Sequence, residues 1–135
     1  MEKAYLGIGT NLGDKEENIL GAYEMIESRV GKILRKSSMY ATEPWGFQSE
    51  NGFLNAVVCV ETPLTPRELL RETQKIERQM GRKEKSKDGT YHDRVIDIDI
   101  LLYGDMTINE PDLVIPHPLM KEREFVMKPL EEITT

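Results

Sequence analysis

The sequence has little cysteine, histidine or tryptophan. Its 135 residues include one cysteine, Cys59, two histidines and one tryptophan. A single cysteine excludes an internal disulfide framework and fits a reducing compartment. One cysteine and two histidines also provide no zinc-type cluster of ligands. The composition therefore excludes both a disulfide-rich secreted domain and a structural zinc site.

Several longer signals are missing as well. No apolar run approaches the ~20 residues of a membrane span, and residues 1–10 lack the basic start and apolar core of a signal peptide. The chain contains neither a GxxxxGK[ST] phosphate loop nor a GxGxxG motif. No serine or cysteine stands out as a nucleophile. We expect a cytoplasmic protein that does not associate with membranes.

The charge balance is acidic, with 18 Lys+Arg against 24 Asp+Glu and a net charge of -6. Such a chain has no bulk attraction for nucleic acid or anionic lipid. An anionic ligand would need a local basic cluster or metal ions. The length predicts a single domain over 1–135. Because no long heptad or large apolar surface pattern occurs, we expect a monomer.

Hydrophobic periodicity predicts the element order β-α-β-β-α-β. Strands are predicted at 4–9, 32–42, 53–61 and 95–103. One helix follows residue 14, and a second starts at Thr65, where Glu68 completes a capping box, and ends at Gly81. This order is typical of an α+β ferredoxin-like sandwich, an antiparallel sheet with both helices packed on one face.

The remaining segments are short. Residues 107–115 are predicted as a hairpin partner, 116–123 as a helical turn, and 125 onward as a tail that packs back. An alternative has about six strands, with both 107–115 and 125–130 paired.

Asp97 and Asp99 are the sharpest anomaly, because aspartate is disfavoured in strands. Alternation within VIDIDILL directs Ile96, Ile98, Ile100 and Leu102 to the core and Val95, Asp97, Asp99 and Leu101 to the other face. The two carboxylates then lie roughly 6.6–7 Å apart at the backbone. Hard oxygen ligands at this spacing suit one or two Mg²⁺ ions completed by substrate phosphates. The alternative is an exposed face paired to Lys or Arg.

Basic residues precede this strand. Arg94 adjoins it, and Arg82 begins a loop rich in Lys and Glu. Beside metal-bound phosphates these arginines would neutralise charge, whereas a charged loop alone is usually a solvated surface. Gln74 and Glu77 share a helical face and suit either a nucleotide or simple solubility. His117, between two prolines, is either a rigidly mounted donor or a surface histidine.

Asn55 is an amide within the apolar run FLNAVV, so it must find hydrogen-bond partners. An amide both donates and accepts and can read the edge of a heterocycle. Phe53 alternates onto the same face and, with Trp45 or Phe125, would sandwich a flat ring. The alternatives are core packing for the aromatic residues and a backbone contact for Asn55.

Taken together, the chain resembles the 6-hydroxymethyl-7,8-dihydropterin pyrophosphokinases of folate biosynthesis. The most specific block has the form Arg94-x-x-Asp97-Ile98-Asp99. The resemblance runs through six blocks in the family's order: AYLGIGTNLGDKEENI, SSMYATEPWG, FLNAVV, LLRETQKIERQMGR, DRVIDIDILLYG and IPHPLMKEREFVMKPLEEI.

The resemblance implies that ATP gives its β,γ-pyrophosphoryl group to the pterin hydroxymethyl oxygen, leaving AMP, on an α/β/α-type sandwich. It implies two Mg²⁺ ions on Asp97 and Asp99, with Arg82 and Arg94 also catalytic. The implied ATP-binding residues are Gln74, Glu77, Arg82, Arg94, Ile100, His117 and Arg123. The implied pterin-binding residues are Thr42, Pro44, Trp45, Phe53, Asn55 and Phe125.

Two segments depart from the family pattern. The segment before Arg94 reads Tyr91-His92-Asp93 instead of aromatic-Gly-Pro, and Glu84 stands where a basic residue is expected. The competing interpretation is a non-catalytic ferredoxin-like module that binds a small molecule. Such a module would not need Asp97 and Asp99.

Overall fold

The computed structural model describes residues 1–42, 52–81, 95–118 and 120–134. The strands are β1 (Glu2–Thr10), β2 (Lys32–Lys36), β3 (Tyr40–Thr42), β4 (Phe53–Thr62), β5 (Asp97–Tyr103), β6 (Ile108–Glu110) and β7 (Leu113–Ile115). The helices are α1 (Lys15–Arg29), α2 (Pro66–Gln79) and α3 (Glu124–Thr134), and a 3-10 turn covers Met120–Glu122.

The main sheet is antiparallel and has the strand order β2-β4-β1-β5, with β3 pairing the same edge of β4 as β2. With β2 and β3 counted as one interrupted strand, this is the order of a ferredoxin-like sheet. The fold class predicted from the element order is confirmed. Strands β6 and β7 pair with each other in a separate hairpin, so the 107–115 segment does not extend the main sheet.

The first core lies between the sheet and the helices α1 and α2. It gathers alternate residues of the strands, such as Leu6, Val58 and Ile98, against Ile26 of α1 and Ile76 of α2. Both helices begin as their sequences predict. Asp14 caps α1, and Thr65 and Glu68 form the predicted capping box of α2.

The second core lies on the opposite face of the sheet and is covered by α3. Val57 and Leu101 pack there against Val126, Leu130 and Ile133 of α3. The predicted tail from 125 onward does pack back, but it is a helix, and the alternative in which 125–130 pairs as a strand is wrong. The two predicted helices, α1 and α2, do lie on one face, and α3 covers the other, as in the α/β/α-type sandwich that the resemblance implies.

The strand predicted over 32–42 is interrupted at Ser37. The Ser37 N–H donates to the carbonyl of Val57 at 2.9 Å, and the Ser37 hydroxyl accepts from the Val57 N–H at 2.9 Å. The Ser37 hydroxyl thus takes the place of a backbone carbonyl in the pairing with β4. As a result β2 ends at this point and β3 starts as a separate strand. Serine's capacity to bond the backbone in this way is the physical reason for the interruption.

Strand β5 begins at Asp97, two residues later than predicted, and its alternation changes near its end. The pairing with β1 shifts register between Tyr5 and Leu6. Ile98 and Ile100 face the first core as predicted, but Leu102 packs against the second core together with Leu101. The placement predicted for Leu102 is therefore wrong, because an irregular pairing restarts the alternation.

In the described ranges, no helix is both long enough and apolar enough to cross a bilayer.

Candidate active site

Four residues form a row across the sheet. Tyr40 of β3 pairs with Asn55 of β4, Asn55 pairs with Gly9 of β1, and Gly9 pairs with Asp97 of β5. Since neighbouring strands lie about 4.8 Å apart, Asn55 and Asp97 are roughly 10 Å apart at the backbone. Glycine lies between them, so no side chain fills the space above the sheet at that point.

The polar side chains of this row lie on the α3 face. Ile98 and Ile100 belong to the first core, so Asp97 and Asp99 project to the opposite side. Asn55 lies two residues before Val57, which faces α3. Both aspartates are half-buried. The candidate site therefore lies on the face of the sheet that carries the second core.

The aspartates suit a hard divalent cation. The structure confirms that they share one face of a strand at alternate positions. No group of three or more metal-ligating side chains occurs within the described ranges. Two carboxylates that leave most coordination positions to water and substrate oxygens are typical of Mg²⁺ sites, since this ion sheds its waters reluctantly. The pair thus fits metal-bound phosphate better than a closed, all-protein cage.

The amide of Asn55 is fixed by β3. Its nitrogen, Nδ2, donates to the hydroxyl of Thr42 at 3.0 Å and to the carbonyl of Tyr40 at 3.3 Å. Its oxygen, Oδ1, is turned toward Gly9, where it would lie 3.1 Å from a Cβ added at that position. Asn55 therefore has the partners expected of a buried amide, and its acceptor faces the open part of the row.

Two aromatic side chains lie on the same face. Phe53 is half-buried, with Cδ1 3.7 Å from the position of a Cβ at Gly9. Phe125 packs partly against the second core, and the guanidinium of Arg123 lies 5.7 Å from the centre of its ring. Phe53 thus lies close to the Asn55 amide, and Phe125 adds a second aromatic side chain on the same face of the sheet.

His117 contacts β5, the strand that carries the two aspartates. It follows the cis peptide between Ile115 and Pro116, and its N–H donates to the carbonyl of Leu101 at 3.0 Å. Burial lowers the pKa of His117, and the positive charge of Arg123 lowers it further, while Asp97 acts in the opposite direction. The charges of Arg123 and Asp97 thus both act on His117.

The residues predicted on α2 separate in the structure. Glu77 is buried, and its carboxylate accepts from the N–H of Ile98 at 2.8 Å, between the two aspartates. Gln74 is exposed, although it lies only three residues earlier. Ile100 is buried in the first core, on the face away from the aspartates. Of the two α2 residues, Glu77 is the one with a described contact to the aspartate strand.

Four predicted site residues, Pro44, Trp45, Arg82 and Arg94, lie outside the described residues.

Sequence reasoning missed two residues that contribute to the row. Gly9 provides the opening of the row, and Tyr40 supplies a carbonyl to Asn55. The spacing Gly7-x-Gly9 within β1 is a signal that was available, because glycine within a strand often marks a close approach of another group.

Comparison with known proteins agrees with the resemblance found in the sequence. The family model described as 7,8-dihydro-6-hydroxymethylpterin-pyrophosphokinase (HPPK) matches residues 5–135. The chain belongs to this family. Curated relatives named 2-amino-4-hydroxy-6-hydroxymethyldihydropteridine pyrophosphokinase agree with it. The relative from Porphyromonas gingivalis is 48% identical over 98% of this chain and 91% of its own length. The one from Aquifex aeolicus is 44% identical over 98% and 81%.

Solved structures of HPPK proteins share the fold. A crystal structure titled HPPK-DHPS in complex with substrates has a TM-score of 0.76 and 18% identity. Wild-type HPPK-DHPS of Plasmodium falciparum, titled with SDX-DHP, has a TM-score of 0.76 and 20% identity. Each match covers 98% of this chain and 40% of the solved chain. At this identity the likeness establishes the HPPK fold alone.

The family assignment also fixes the reaction class. As an HPPK, the chain is a diphosphotransferase that passes a pyrophosphoryl group to hydroxymethyldihydropterin in folate biosynthesis. The function predicted from the six sequence blocks is confirmed at this level.

Proposed function

We propose that this HPPK transfers the β,γ-pyrophosphoryl group of ATP to the hydroxymethyl oxygen of 6-hydroxymethyl-7,8-dihydropterin, using two Mg²⁺ ions held by Asp97 and Asp99. The observation that carries the proposal is the row in which Asn55, Gly9 and Asp97 are successive partners across three strands. It sets a heterocycle-reading amide and a metal-binding carboxylate on one face, separated by a gap without a side chain.

The pterin side of the site is built on β3 and β4. The Oδ1 atom of Asn55 accepts hydrogen bonds from N–H groups at the pterin edge, and Thr42 keeps the amide in this orientation. Phe53 and Phe125 provide aromatic surfaces for the ring, with Pro44 and Trp45 proposed to complete the pocket. A ring held by Asn55 would direct its hydroxymethyl group along the row toward Asp97.

The nucleotide side is built on β5 and the segment after β7. When bound, the magnesium ions would neutralise phosphate charge as Lewis acids. His117, whose pKa responds to the charges of both Arg123 and Asp97, suits a contact to the phosphates, and so does Arg123. Gln74, Glu77, Ile100, Arg82 and Arg94 are proposed to contact ATP as well, and Arg82 and Arg94 to take part in catalysis.

The chemical step is a displacement at the β-phosphorus. The hydroxymethyl oxygen forms a bond to that phosphorus and loses its proton to solvent. The bond from the β-phosphorus to the bridging oxygen of AMP breaks, and AMP leaves with that oxygen. Alignment and charge neutralisation are the main requirements of such a transfer. The fixed sheet, with Asn55 and the aspartates on rigid strands, provides the alignment.

The nucleotide product tests this proposal. The protein is mixed with ATP, Mg²⁺ and the pterin, and AMP is resolved from ADP. We expect AMP that depends on the pterin and disappears with EDTA. Asp97→Asn and Asp99→Asn should each lower kcat by roughly 10²-fold or more. The matched control is Asp105→Asn, an exposed aspartate in the turn after β5, which should retain the wild-type rate.

Other outcomes would contradict specific parts. ADP as product would mean transfer of a single phosphoryl group. Full activity of both aspartate variants would exclude the proposed metal ligands. A folded protein that binds the pterin without changing ATP would favour the binding-module alternative.

The single domain, the monomeric state, the cytoplasmic location and the lack of nucleic-acid or membrane partners stay predictions. Size-exclusion chromatography with light scattering would test the monomer.

A further inference from the structure

The carboxylate of Glu132 connects α3 to β3. It accepts hydrogen bonds from the N–H of Ser38 at 2.7 Å, the hydroxyl of Ser38 at 2.8 Å and the phenol of Tyr40 at 2.6 Å. We call this arrangement of Glu132, Ser38 and Tyr40 the Glu132 clamp. Its partners lie 92 to 94 residues apart in the sequence, so it joins the end of the last helix to the start of β3.

The clamp has the properties of a specific contact. Three donors converge on one carboxylate, and hydrogen bonds to a charged acceptor are stronger than neutral ones. The bonds from Tyr40 and Ser38 lower the pKa of Glu132, so the side chain is charged at neutral pH. A second contact supports it, since the guanidinium of Arg35 donates to the carbonyl of Ile133 at 3.1 Å.

Strand β3 in turn holds the amide of Asn55. It is only three residues long, and both acceptors of the Asn55 nitrogen, the Tyr40 carbonyl and the Thr42 hydroxyl, belong to it. A short strand with few ladder bonds of its own depends on outside contacts for its position. The phenol of Tyr40 therefore anchors one side of a residue whose carbonyl orients Asn55.

We propose that Glu132 is a positioning residue for pterin binding, which it serves by fixing β3 and thereby the direction of the Asn55 amide. This inference rests on the proposed function, because it takes Asn55 to read the pterin edge. Glu132 contacts Ser38 and Tyr40 and is given no contact with the substrate. Substitution of Glu132 should therefore affect the binding of the pterin and leave the binding of ATP nearly unchanged.

Steady-state kinetics of Glu132→Gln, Glu132→Ala and Tyr40→Phe test the proposal. Small displacements of positioning groups have large kinetic effects, so we expect the pterin KM to rise roughly fivefold to 100-fold. The ATP KM should stay within about twofold, since the metal side of the site is on β5. Glu132→Gln, which keeps the shape and one acceptor, should be milder than Glu132→Ala. Glu131→Gln, an exposed neighbour on α3, is the matched control.

A double variant separates the proposed path from a general loss of stability. If Glu132 acts through Tyr40, the double variant Tyr40→Phe/Glu132→Gln should raise the pterin KM less than the product of the two single effects. Calorimetric binding of the pterin, with a nonhydrolysable ATP analogue and Mg²⁺ present, should show the same ranking without turnover. Thermal melts of every variant accompany these measurements.

The outcomes distinguish a failure of the proposed function from a failure of the role proposed for Glu132. If the wild-type protein makes no pterin-dependent AMP, the proposed function fails. If the wild type is active and Glu132→Gln has the pterin KM of Glu131→Gln, the proposed function stands and the role of Glu132 is refuted. Equal changes in both KM values together with a lower melting temperature would also refute it, because they indicate a purely structural contact.

Discussion

Gly9 decides how much space the row of site residues encloses. It pairs with Asn55 on one side and with Asp97 on the other. A Cβ at this position would lie 3.1 Å from Oδ1 of Asn55, which is tighter than an ordinary contact. The missing side chain therefore leaves space between the amide and the carboxylate on this face of the sheet.

His117 should titrate below its ordinary pKa of 6.5 and be neutral at pH 7. Replacing Arg123 by Gln removes a positive charge that disfavours the protonated ring, so the pKa of His117 should rise. Replacing Asp97 by Asn removes a favourable negative charge, so the pKa should fall further. NMR titration of the imidazole signals measures both changes.

The chain has two histidines, and His92→Gln assigns the signal of His117. An increase in its pKa in the Asp97→Asn variant would contradict the described electrostatic neighbourhood.

Sequence reasoning at this scale singled out residues that conflict with their surroundings. Asp97, Asp99 and Asn55 are polar residues in otherwise apolar strands, and such conflicts are visible without a structure. Glu132 gives no such signal, because a glutamate on an exposed helix face is ordinary. Its role depends on Tyr40, 92 residues away, and no local pattern encodes that contact.

At the scale of elements, the junction between α1 and β2 depends on a glycine. A Cβ on Gly31 would overlap the carbonyl oxygen of Glu61 in β4. Gly31→Ala must push the start of β2 away from β4. We therefore expect the free energy of unfolding to fall by about 1–3 kcal/mol. Chemical denaturation would measure this loss.

Gly21→Ala is the matched control for that measurement. Gly21 lies within α1, and its added Cβ would meet only the flexible end of Met80 at 3.3 Å. Alanine is favoured over glycine in a helix by about 0.5–1 kcal/mol, so this variant should be as stable as the wild type or more stable. Equal losses in both variants would contradict the packing described at Gly31.

The elements that the sequence predicted well carry strong local signals, as in the capping box at Thr65. Helix α3 was not predicted because Pro129 lies inside it and proline disfavours helix interiors. Its buried residues Val126, Leu130 and Ile133 do have helical spacing. Burial against the second core therefore outweighs the local effect of the proline, and the helical spacing of these three residues was a signal available in the sequence.

At the scale of the whole molecule, the sheet is packed between two cores, and the Glu132 clamp joins the outer helix to it. Because the folded pKa of Glu132 is below its ordinary value of 4.5, the clamp contributes stability above that pH. The contribution is lost as the pH falls through the folded pKa. Glu132→Gln should therefore melt at a lower temperature than the wild type at pH 7, and the difference should shrink below about pH 4.5.

Scanning calorimetry of both proteins from pH 7 to pH 3.5 measures this difference. Glu131→Gln controls for the removal of one negative charge from α3. A difference that grows as the pH falls would contradict the contacts described for Glu132.

The row from Tyr40 to Asp97 has a consequence for how the protein acquires activity. Its members are residues 40, 55, 9 and 97, so neither half of the chain contains the complete row. Contacts so distant in sequence form slowly, because long loops must close first. During synthesis, β1 waits with one edge unpaired until β5 has emerged. Recovery of catalysis after dilution from denaturant should consequently report the completion of the entire sheet, and no earlier event.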